Sequence, residues 1–215
     1  MASQVLRSQH GSGPLRLVIC GVIVVAIAAM ALDTKVVWIG SDEDVREDVF
    51  SPEKFGTQHF PEIQADIASR AVEAPQLAEA IAADKAAAGK QYGVPAGVGP
   101  VIPVKFTGVA GEGKSGIYVI NVEGMPAGVQ IRVQTGPAIT GTDIRDATGT
   151  ITFGQFTNQI EYQNAGAGLN NVLKADVLAN IDNSNLTGKT VSVVGVFKLI
   201  NPKNWLVTPV RMSVE

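Results

Sequence analysis

The loop at residues 141–149 carries the densest set of chemically useful side chains in this sequence. It holds two carboxylates, one guanidinium and two threonine hydroxyls between flanking glycines. Carboxylates and guanidinium groups form strong, directional hydrogen bonds, so Asp143, Arg145 and Asp146 are candidate ligands for the hydroxyls of a sugar. The structural alternative is an Asx-type turn that is held together by an Arg–carboxylate ion pair.

A second group of candidate binding residues follows this loop. Residues 154–162 combine amide side chains, a carboxylate and two aromatic rings. The candidates here are Gln155, Asn158, Glu161 and Tyr162. Trp205 ends the predicted final hairpin loop at 201–205, and its ring is a candidate stacking platform for a sugar. Alternatively, Trp205 packs over the end of the predicted β-barrel, because large aromatic rings usually lie where they bury area.

The segment Gly108–Ser115 matches the P-loop pattern for nucleotide binding. That pattern binds phosphate only when a helix follows, because the amides of the helix N-terminus and the lysine must face the phosphates. Here Ile117–Val122 follows, and its β-branched residues are typical of a strand. We therefore interpret the match as a glycine-rich hairpin turn and predict no nucleotide ligand.

The residues available for catalysis are few. His59 is the one histidine beyond the N-terminal apolar run, and its neighbours at helical spacing are apolar. This favours a core or interface position over a role in a Ser-His-Asp triad. Asp143, Asp146 and Glu161 are available for a glycosidase-type carboxylate pair, but spacing in sequence does not give separation in space. We predict that the protein is not an enzyme, with a carboxylate-dependent hydrolase as an alternative.

The single cysteine and the charge balance exclude further classes of protein. Cys20 lies inside an apolar run and is the only cysteine, so neither an intramolecular disulfide nor a multi-cysteine zinc site can form. The net charge of −3 argues against nucleic acid, whose binding depends on clustered Lys and Arg. We predict no metal, no cofactor and no nucleic-acid partner.

The N-terminal region predicts attachment to the inner membrane. Residues 17–32 carry no charge, and as a helix they approach the thickness of the hydrocarbon core of a bilayer. Arg7 and Arg16 hold residues 1–16 in the cytoplasm by the positive-inside rule, so we expect a single-pass protein with the bulk of its chain in the periplasm. Alternatively, the apolar run is a signal peptide that is cleaved at Ala29–Ala31, where small residues flank a methionine.

Residues 33–95 are expected to form an extended lead-in followed by a small helical segment. Ser51 suits the N-cap of a helix and Pro52 suits its first position. Pro61 is expected to kink or split this helix. A second, alanine-rich helix is expected to end at Gly89, which predicts an antiparallel helix pair.

Residues 96–215 show the alternation of β-strands, interrupted by one helix. Strands are predicted at 102–107, 117–122, 129–133, 150–153, 158–162 and within 189–214, with a bend or bulge at Gly195. The helix is predicted over 166–181, where one apolar stripe has helical spacing: Leu169, Val172, Leu173, Val177 and Ile181. One helix late in a run of strands is typical of an OB-type barrel, whose open end it plugs. The expected fold class is α+β: a transmembrane or signal helix, a helical segment, and an OB-like antiparallel β-barrel with one inserted helix.

Several segments of the sequence resemble a known family. They are Asp33–Val37, Ile131–Ile139, Gly141–Gly149, Phe153–Tyr162 and Asn201–Pro209. These segments resemble the uncharacterised predicted periplasmic lipoprotein family of bacteria, over roughly residues 17–215. The resemblance implies an exported, membrane-attached protein with an OB-like domain, and association with sugar ABC transport systems. Cys20 follows Ile19 rather than a small residue, so a transmembrane anchor replaces lipidation in this expectation.

These expectations describe a membrane-anchored periplasmic accessory or binding protein that supports sugar ABC-type uptake. Its partners would be the inner membrane and components of the transporter. The alternative is a carbohydrate-binding module that uses Trp205, Tyr162 and the loop at 143–146. A flat, exposed apolar patch would favour the accessory role, whereas an exposed Trp205 beside Asp143 and Arg145 would favour carbohydrate binding.

Overall fold

The structure, a computed structural model, describes residues 13–33 and 50–215 of the chain. The chain divides into two compact units, Met1–Val49 and Phe50–Glu215. Most of the predicted extended lead-in, residues 34–49, lies outside the described residues. The helical segment and the strands predicted after it both belong to the second unit.

The first unit contributes one described helix, α1, over Gly13–Asp33. This helix contains the segment at 17–32 for which a transmembrane anchor was predicted. Within the described ranges of the chain, no helix combines the length and the apolar character needed to cross a membrane. The structure therefore does not support the predicted transmembrane helix.

The second unit begins with three helices. They are α2 (Pro52–Arg70), α3 (Ala74–Ala83) and α4 (Lys85–Tyr92). The predicted start of α2 is confirmed, since Ser51 Oγ accepts a hydrogen bond from a first-turn amide at 3.3 Å and Pro52 occupies the first helical position. The predicted split at Pro61 is wrong, since α2 continues through Pro61 to Arg70. The predicted end at Gly89 is also wrong, since α4 continues to a C-cap at Gly93.

Six strands form one sheet: β1 (Val72–Glu73), β2 (Val101–Lys114), β3 (Ile117–Val122), β4 (Gln130–Gln134), β5 (Thr190–Lys198) and β6 (Asn204–Val214). Their order is β1-β2-β3-β4-β6-β5, and β2 also pairs with β5, so the pairings of the last five strands close into a ring. The length of β2 allows this closure, because it pairs with both β3 and β5. The predicted antiparallel arrangement is wrong at one position of the ring, since β4 and β6 run parallel. The predicted irregularity at Gly195 is confirmed by a register shift between β5 and β6.

The turn between β2 and β3 contains the end of the P-loop-like segment. Ser115 and Gly116 have φ values of 53° and 75°, which reverse the chain between Lys114 and Ile117. A strand follows this turn, so the predicted hairpin is confirmed. Its turn lies later than predicted, because residues 108–114 belong to β2 and only Ser115 of the segment lies in the turn.

Between β4 and β5 the chain forms a short helix α5 (Asp143–Asp146), a 3₁₀ turn (Phe153–Gln155), and helix α6 (Gln159–Val172) with a π-helical continuation (Leu173–Leu178). The helix predicted at 166–181 is therefore present, but it begins earlier in the sequence. The strands predicted at 150–153 and 158–162 are wrong. Asn158 Oδ1 accepts a hydrogen bond from the Glu161 amide at 3.0 Å, and this N-cap starts α6 where a strand was expected.

The apolar stripe of α6 packs against the sheet and against α2. Leu169 and Leu173 are fully buried, as predicted, and they share a core cluster with Val196 of β5. Helices α2 and α6 approach closely, since a Cβ atom on Gly56 would lie 2.5 Å from the Gly168 carbonyl oxygen. Only glycine allows this separation, so the two helices form a tight layer over one part of the sheet.

Candidate functional site

A surface groove of about 580 Å³ brings together several of the predicted binding residues. Its polar and aromatic lining residues are Thr142, Arg145, Asp146, Thr152, Phe153, Tyr162 and Lys198. Residues 95–98, Gly149 and Ile151 complete the lining. We call this feature the Arg145 groove.

Three elements position the charged side chains of the groove. In α5 the Asp146 amide donates to Thr142 O at 2.9 Å, and Thr142 Oγ1 donates to Asp146 Oδ2 at 2.8 Å. β5 ends at Lys198, whose ammonium group lies against α5. The first turns of α6 contribute Tyr162. A short helix, the end of a strand and the start of a longer helix therefore meet at one place.

Arg145 is held by several contacts and is 6% exposed. Its Nε donates to Asp146 Oδ1 at 2.8 Å, and its Nη1 donates to Tyr162 O at 2.8 Å. Its Nη2 lies 2.7 Å from the same Asp146 oxygen, and its guanidinium carbon lies 3.6 Å from the centroid of the Tyr162 ring. Charge-assisted hydrogen bonds and a cation–π contact therefore fix the orientation of the guanidinium. This agrees with the structural alternative for the loop, in which an Arg–carboxylate pair stabilises the turn.

Lys198 bridges the two carboxylates of α5. Its Nζ lies 3.5 Å from Asp143 Oδ1 and 3.5 Å from Asp146 Oδ2, and none of the three side chains is more than 20% exposed. Burial raises the pKa of the Asp143 carboxyl above its ordinary value, while the Lys198 charge partly opposes this rise and the Asp146 charge adds to it. Together with Arg145, these residues form two opposite-charge pairs, so the cluster has no net charge at neutral pH.

An exposed aromatic ring lies beside this cluster. Phe153 is 50% exposed and packs edge-on against Tyr162, with the ring centroids 5.8 Å apart. Tyr162 also contacts Phe156, which continues the aromatic contacts to Phe55 of α2. A half-exposed ring next to fixed donors and acceptors suits a ligand that has an apolar face and a polar edge.

Three residues that line the groove were not predicted from the sequence: Lys198, Phe153 and Thr142. A signal for Lys198 was available, because it is the one charged residue in the segment 190–198 and lies at its end. Phe153 was assigned to a strand that the structure replaces with a 3₁₀ turn. Thr142 lies inside the singled-out loop, but its bond to Asp146 depends on the turn of α5.

Three predicted ligand residues satisfy local backbone groups and do not line the groove. Gln155 Oε1 accepts from the Thr152 amide at 3.0 Å, and Glu161 Oε2 accepts from the Thr157 amide at 3.0 Å. Asn158 is the N-cap of α6. Their predicted role in a common ligand site is therefore corrected to one of capping turns and helix starts. Asp143 belongs to the charge cluster through its contact with Lys198, but it does not line the groove.

Trp205 lies outside the groove and is completely buried. Its ring stacks on Phe197, with centroids 4.5 Å apart and planes at 12°, and its Nε1 donates to Pro202 O at 3.0 Å. The ring therefore presents no face to a sugar, so the stacking platform is wrong. The alternative, in which Trp205 packs as part of the barrel core, agrees with the structure. Within the described parts of the chain, no group of three or more His, Cys, Asp or Glu residues is placed to hold a metal ion.

The fold and the groove define an OB-type α+β protein with a cleft of small-molecule size. This chain belongs to the family described as "Predicted periplasmic lipoprotein (DUF2291)", which it matches over residues 20–213. The family resemblance is thereby confirmed, and with it a predicted periplasmic lipoprotein of unknown molecular function. No curated protein matches the chain.

The fold is also similar to that of a solved structure. The crystal structure of an OB-fold protein from Thermotoga maritima superposes with a TM-score of 0.61 and 17% sequence identity. The match covers 78% of this chain and 100% of that chain. At this identity the similarity concerns the fold alone, and it supports the predicted OB-type domain.

Proposed function

We propose that this protein is a non-enzymatic binding protein at the periplasmic face of the inner membrane, with the Arg145 groove as its ligand site. The proposal rests on one observation: three hydrogen-bonded or ion-paired members of the charge cluster, Arg145, Asp146 and Lys198, line the same groove as the half-exposed Phe153 ring. Concave sites with a few fixed polar groups beside apolar surface are the usual form of small-molecule sites. Membership of a predicted periplasmic lipoprotein family supports the location.

Membrane attachment through the N-terminal apolar segment at 17–32 is part of this proposal. Its support is the charge distribution in the sequence, because Arg7 and Arg16 precede the segment and the acidic residues at 42–48 follow it. A single-pass topology then leaves the N-terminus in the cytoplasm. Protease added to intact spheroplasts is expected to digest residues 50–215, and full protection of that part would contradict the topology.

Carbohydrate is the ligand class that the chemistry of the groove favours. The cluster has no net charge, so it does not select strongly for an anion or a cation. The oxygens of Asp146, Thr142 and Thr152 can exchange hydrogen bonds with sugar hydroxyls. The exposed face of Phe153 can pack against the C–H face of a sugar ring.

Removal of the Phe153 ring tests this ligand site. In Phe153→Ala the apolar wall is lost while the charge cluster remains, so the affinity for a bound sugar should fall at least about tenfold. Isothermal titration of the full chain in detergent with a panel of mono- and disaccharides measures it. Ile160→Ala is the matched control, because Ile160 is 71% exposed and does not line the groove. Equal losses in both variants, or no sugar binding by the unaltered protein, would contradict the proposal.

An accessory role in sugar ABC-type uptake is the biological setting that we propose. The family resemblance suggests it. Affinity purification of the tagged full chain from detergent-solubilised membranes is the test. Recovery of permease or solute-receptor subunits is expected, and their absence would remove the support for this role.

A hydrolase remains the weaker alternative. Lys198 Nζ lies 3.5 Å from an oxygen of Asp143 and from one of Asp146, so those two oxygens are no more than twice that distance apart. This is compatible with the separation of about 5 to 9.5 Å between glycosidase carboxylates. However, the lysine ammonium lies against both carboxylates, where a substrate or a water molecule would have to bind. We therefore favour a structural ion-pair cluster over a catalytic pair.

A further inference from the structure

One edge of strand β6 has no neighbouring strand among the described residues. β6 pairs with β5 as far as Val214, whereas its parallel pairing with β4 ends at Val207. From residue 208 onward, the edge that faces away from β5 is therefore unpaired within the described sheet. An unpaired edge presents backbone donors and acceptors to any strand that can approach it.

The register of β5 and β6 shows which backbone groups face the free edge. The Glu215 amide donates to Thr190 O at 2.9 Å. In an antiparallel pair the hydrogen-bonding direction alternates from residue to residue. The N–H and C=O groups of Met212 and Val214 must therefore point away from β5, towards the free edge.

The part of the β6 edge with unpaired backbone groups begins after Val210, and it borders a groove. Gln64 Nε2 donates to the Val210 carbonyl oxygen at 2.6 Å, so that carbonyl already has a partner. A groove of about 740 Å³ lies along residues 210–215, with the end of the π-helical segment on its other side. The backbone edge at Met212 and Val214 therefore borders this groove, whose other side also carries Asp176, Asp182 and Lys189.

We propose that this edge pairs with the same edge of a second copy of the chain, antiparallel about a two-fold axis at Ser213. In this register Met212 of each copy lies opposite Val214 of the other. Both residues direct their backbone groups to the free edge, so the two symmetrical pairs would supply four hydrogen bonds. The contact is small, and we expect a weak, concentration-dependent dimer.

Side-chain charge selects this register. Arg211 and Glu215 are exposed, and neither forms an ion pair with another described residue. They lie four residues apart along an extended chain, about 13 Å, so they are too far apart to pair within one copy. About an axis at Ser213, Arg211 of each copy lies opposite Glu215 of the other, and opposite charges at such positions are favourable. An axis at Met212 would lose both ion pairs.

Charge reversal tests the register. Sedimentation of the full chain in detergent over a concentration series should show a reversible dimer. R211E alone and E215R alone each place like charges opposite one another, so each should dimerise about tenfold more weakly. An equal mixture of the two variants, and the double variant R211E/E215R, should regain the affinity. A chain that stays monomeric at every concentration, or a mixture that shows no recovery, would overturn the proposal.

Disulfide trapping tests the position of the axis. Ser213 would lie opposite Ser213 of the second copy with Cα atoms about 4.5 Å apart, within reach of a disulfide. In a Cys20→Ser background, oxidised Ser213→Cys should give a covalent dimer on a non-reducing gel. Asn121→Cys, at an exposed position on β3, is the control for random contacts in micelles. Equal dimer from both variants would exclude the proposed axis, and added R211E should reduce the Ser213→Cys dimer.

Discussion

Two ion pairs in this molecule share their chemistry and differ in their surroundings. In the groove, the Arg145 and Asp146 side chains are 7% and 11% exposed, and their closest charged atoms lie 2.7 Å apart. Between β1 and β2, Lys105 and Glu73 are 45% and 60% exposed and lie 3.5 Å apart. The first pair has hydrogen bonds in addition to its charge contact, while the second is a single contact in water.

Burial determines what each pair contributes. A buried pair gains little over an apolar replacement of both partners, but the loss of one partner leaves an uncompensated charge in a medium of low dielectric constant. An exposed pair is screened by water, and its partners regain solvation when they separate. The two pairs should therefore differ most when a single partner is removed.

The largest effect is expected for Arg145→Met. The substitution keeps an apolar side chain of similar length but leaves Asp146 nearly buried, with Lys198 and Thr142 as its remaining partners. The free energy of unfolding should fall by about 3–5 kcal/mol. Chemical denaturation of the full chain in detergent, followed by circular dichroism, measures this change.

Lys105→Met is the matched control for that variant. It also replaces a cation with methionine in an ion pair, but at an exposed site. The free energy of unfolding should change by no more than about 1 kcal/mol. Equal losses in the two variants would show that burial does not distinguish the pairs.

A smaller loss is expected for Tyr162→Leu. The backbone carbonyl that accepts from Arg145 remains, while the ring beneath the guanidinium and its contact with Phe153 are removed. A loss of about 1–3 kcal/mol in the free energy of unfolding follows from one cation–π contact and the lost aromatic pairs. In a double-mutant cycle with Arg145→Met, the two losses should be less than additive by at least about 0.5 kcal/mol. Strict additivity would exclude the proposed stacking.

Local features of the fold could be predicted because they depend on neighbouring residues. The N-cap at Ser51, the reversal at Ser115 and Gly116, and the buried stripe of Leu169 and Leu173 all follow from rules with a reach of a few residues. The parallel pairing of β4 with β6 joins segments far apart in sequence. The residue pattern within either strand does not show which strand it pairs with, or whether that pairing is parallel or antiparallel.

Only those charged side chains of the candidate site that lie together in one loop of the sequence could be predicted. Arg145 and Asp146 are adjacent in sequence and pair in the structure, whereas Lys198 reaches them through the end of a distant strand. Asn158 was misassigned because helix caps and ligand sites use the same polar residue types. For Trp205 both a stacking platform and a packed position stayed open, because the sequence does not indicate whether an aromatic ring near a loop is buried.

The smallest effect concerns pH and Asp143, which contacts the buried cluster from its edge. Its pKa is raised in the folded state, mainly by burial, from an unfolded value of about 3.9. At pH values between the unfolded pKa and the folded pKa, the folded state binds more protons than the unfolded state. The contribution of this carboxyl to the free energy of unfolding is therefore fully present below the unfolded pKa and is lost as pH rises through the folded pKa. The free energy of unfolding of the unaltered protein minus that of Asp143→Asn should therefore decrease as pH rises through this window, by less than about 1.4 kcal/mol per pH unit.

Asp182 supplies a control of opposite sign for that measurement. Hydrogen bonds from the Ser184 hydroxyl and amide lower the pKa of its exposed carboxyl, so the stability it contributes is present above the unfolded pKa and is lost as pH falls. The difference between the unaltered protein and Asp182→Asn should therefore increase as pH rises. Denaturation at a series of pH values measures both differences on the same preparations. If both differences changed in the same direction, burial could not be the dominant influence on the pKa of the Asp143 carboxyl. Buried and exposed carboxylates would then not differ in the way proposed.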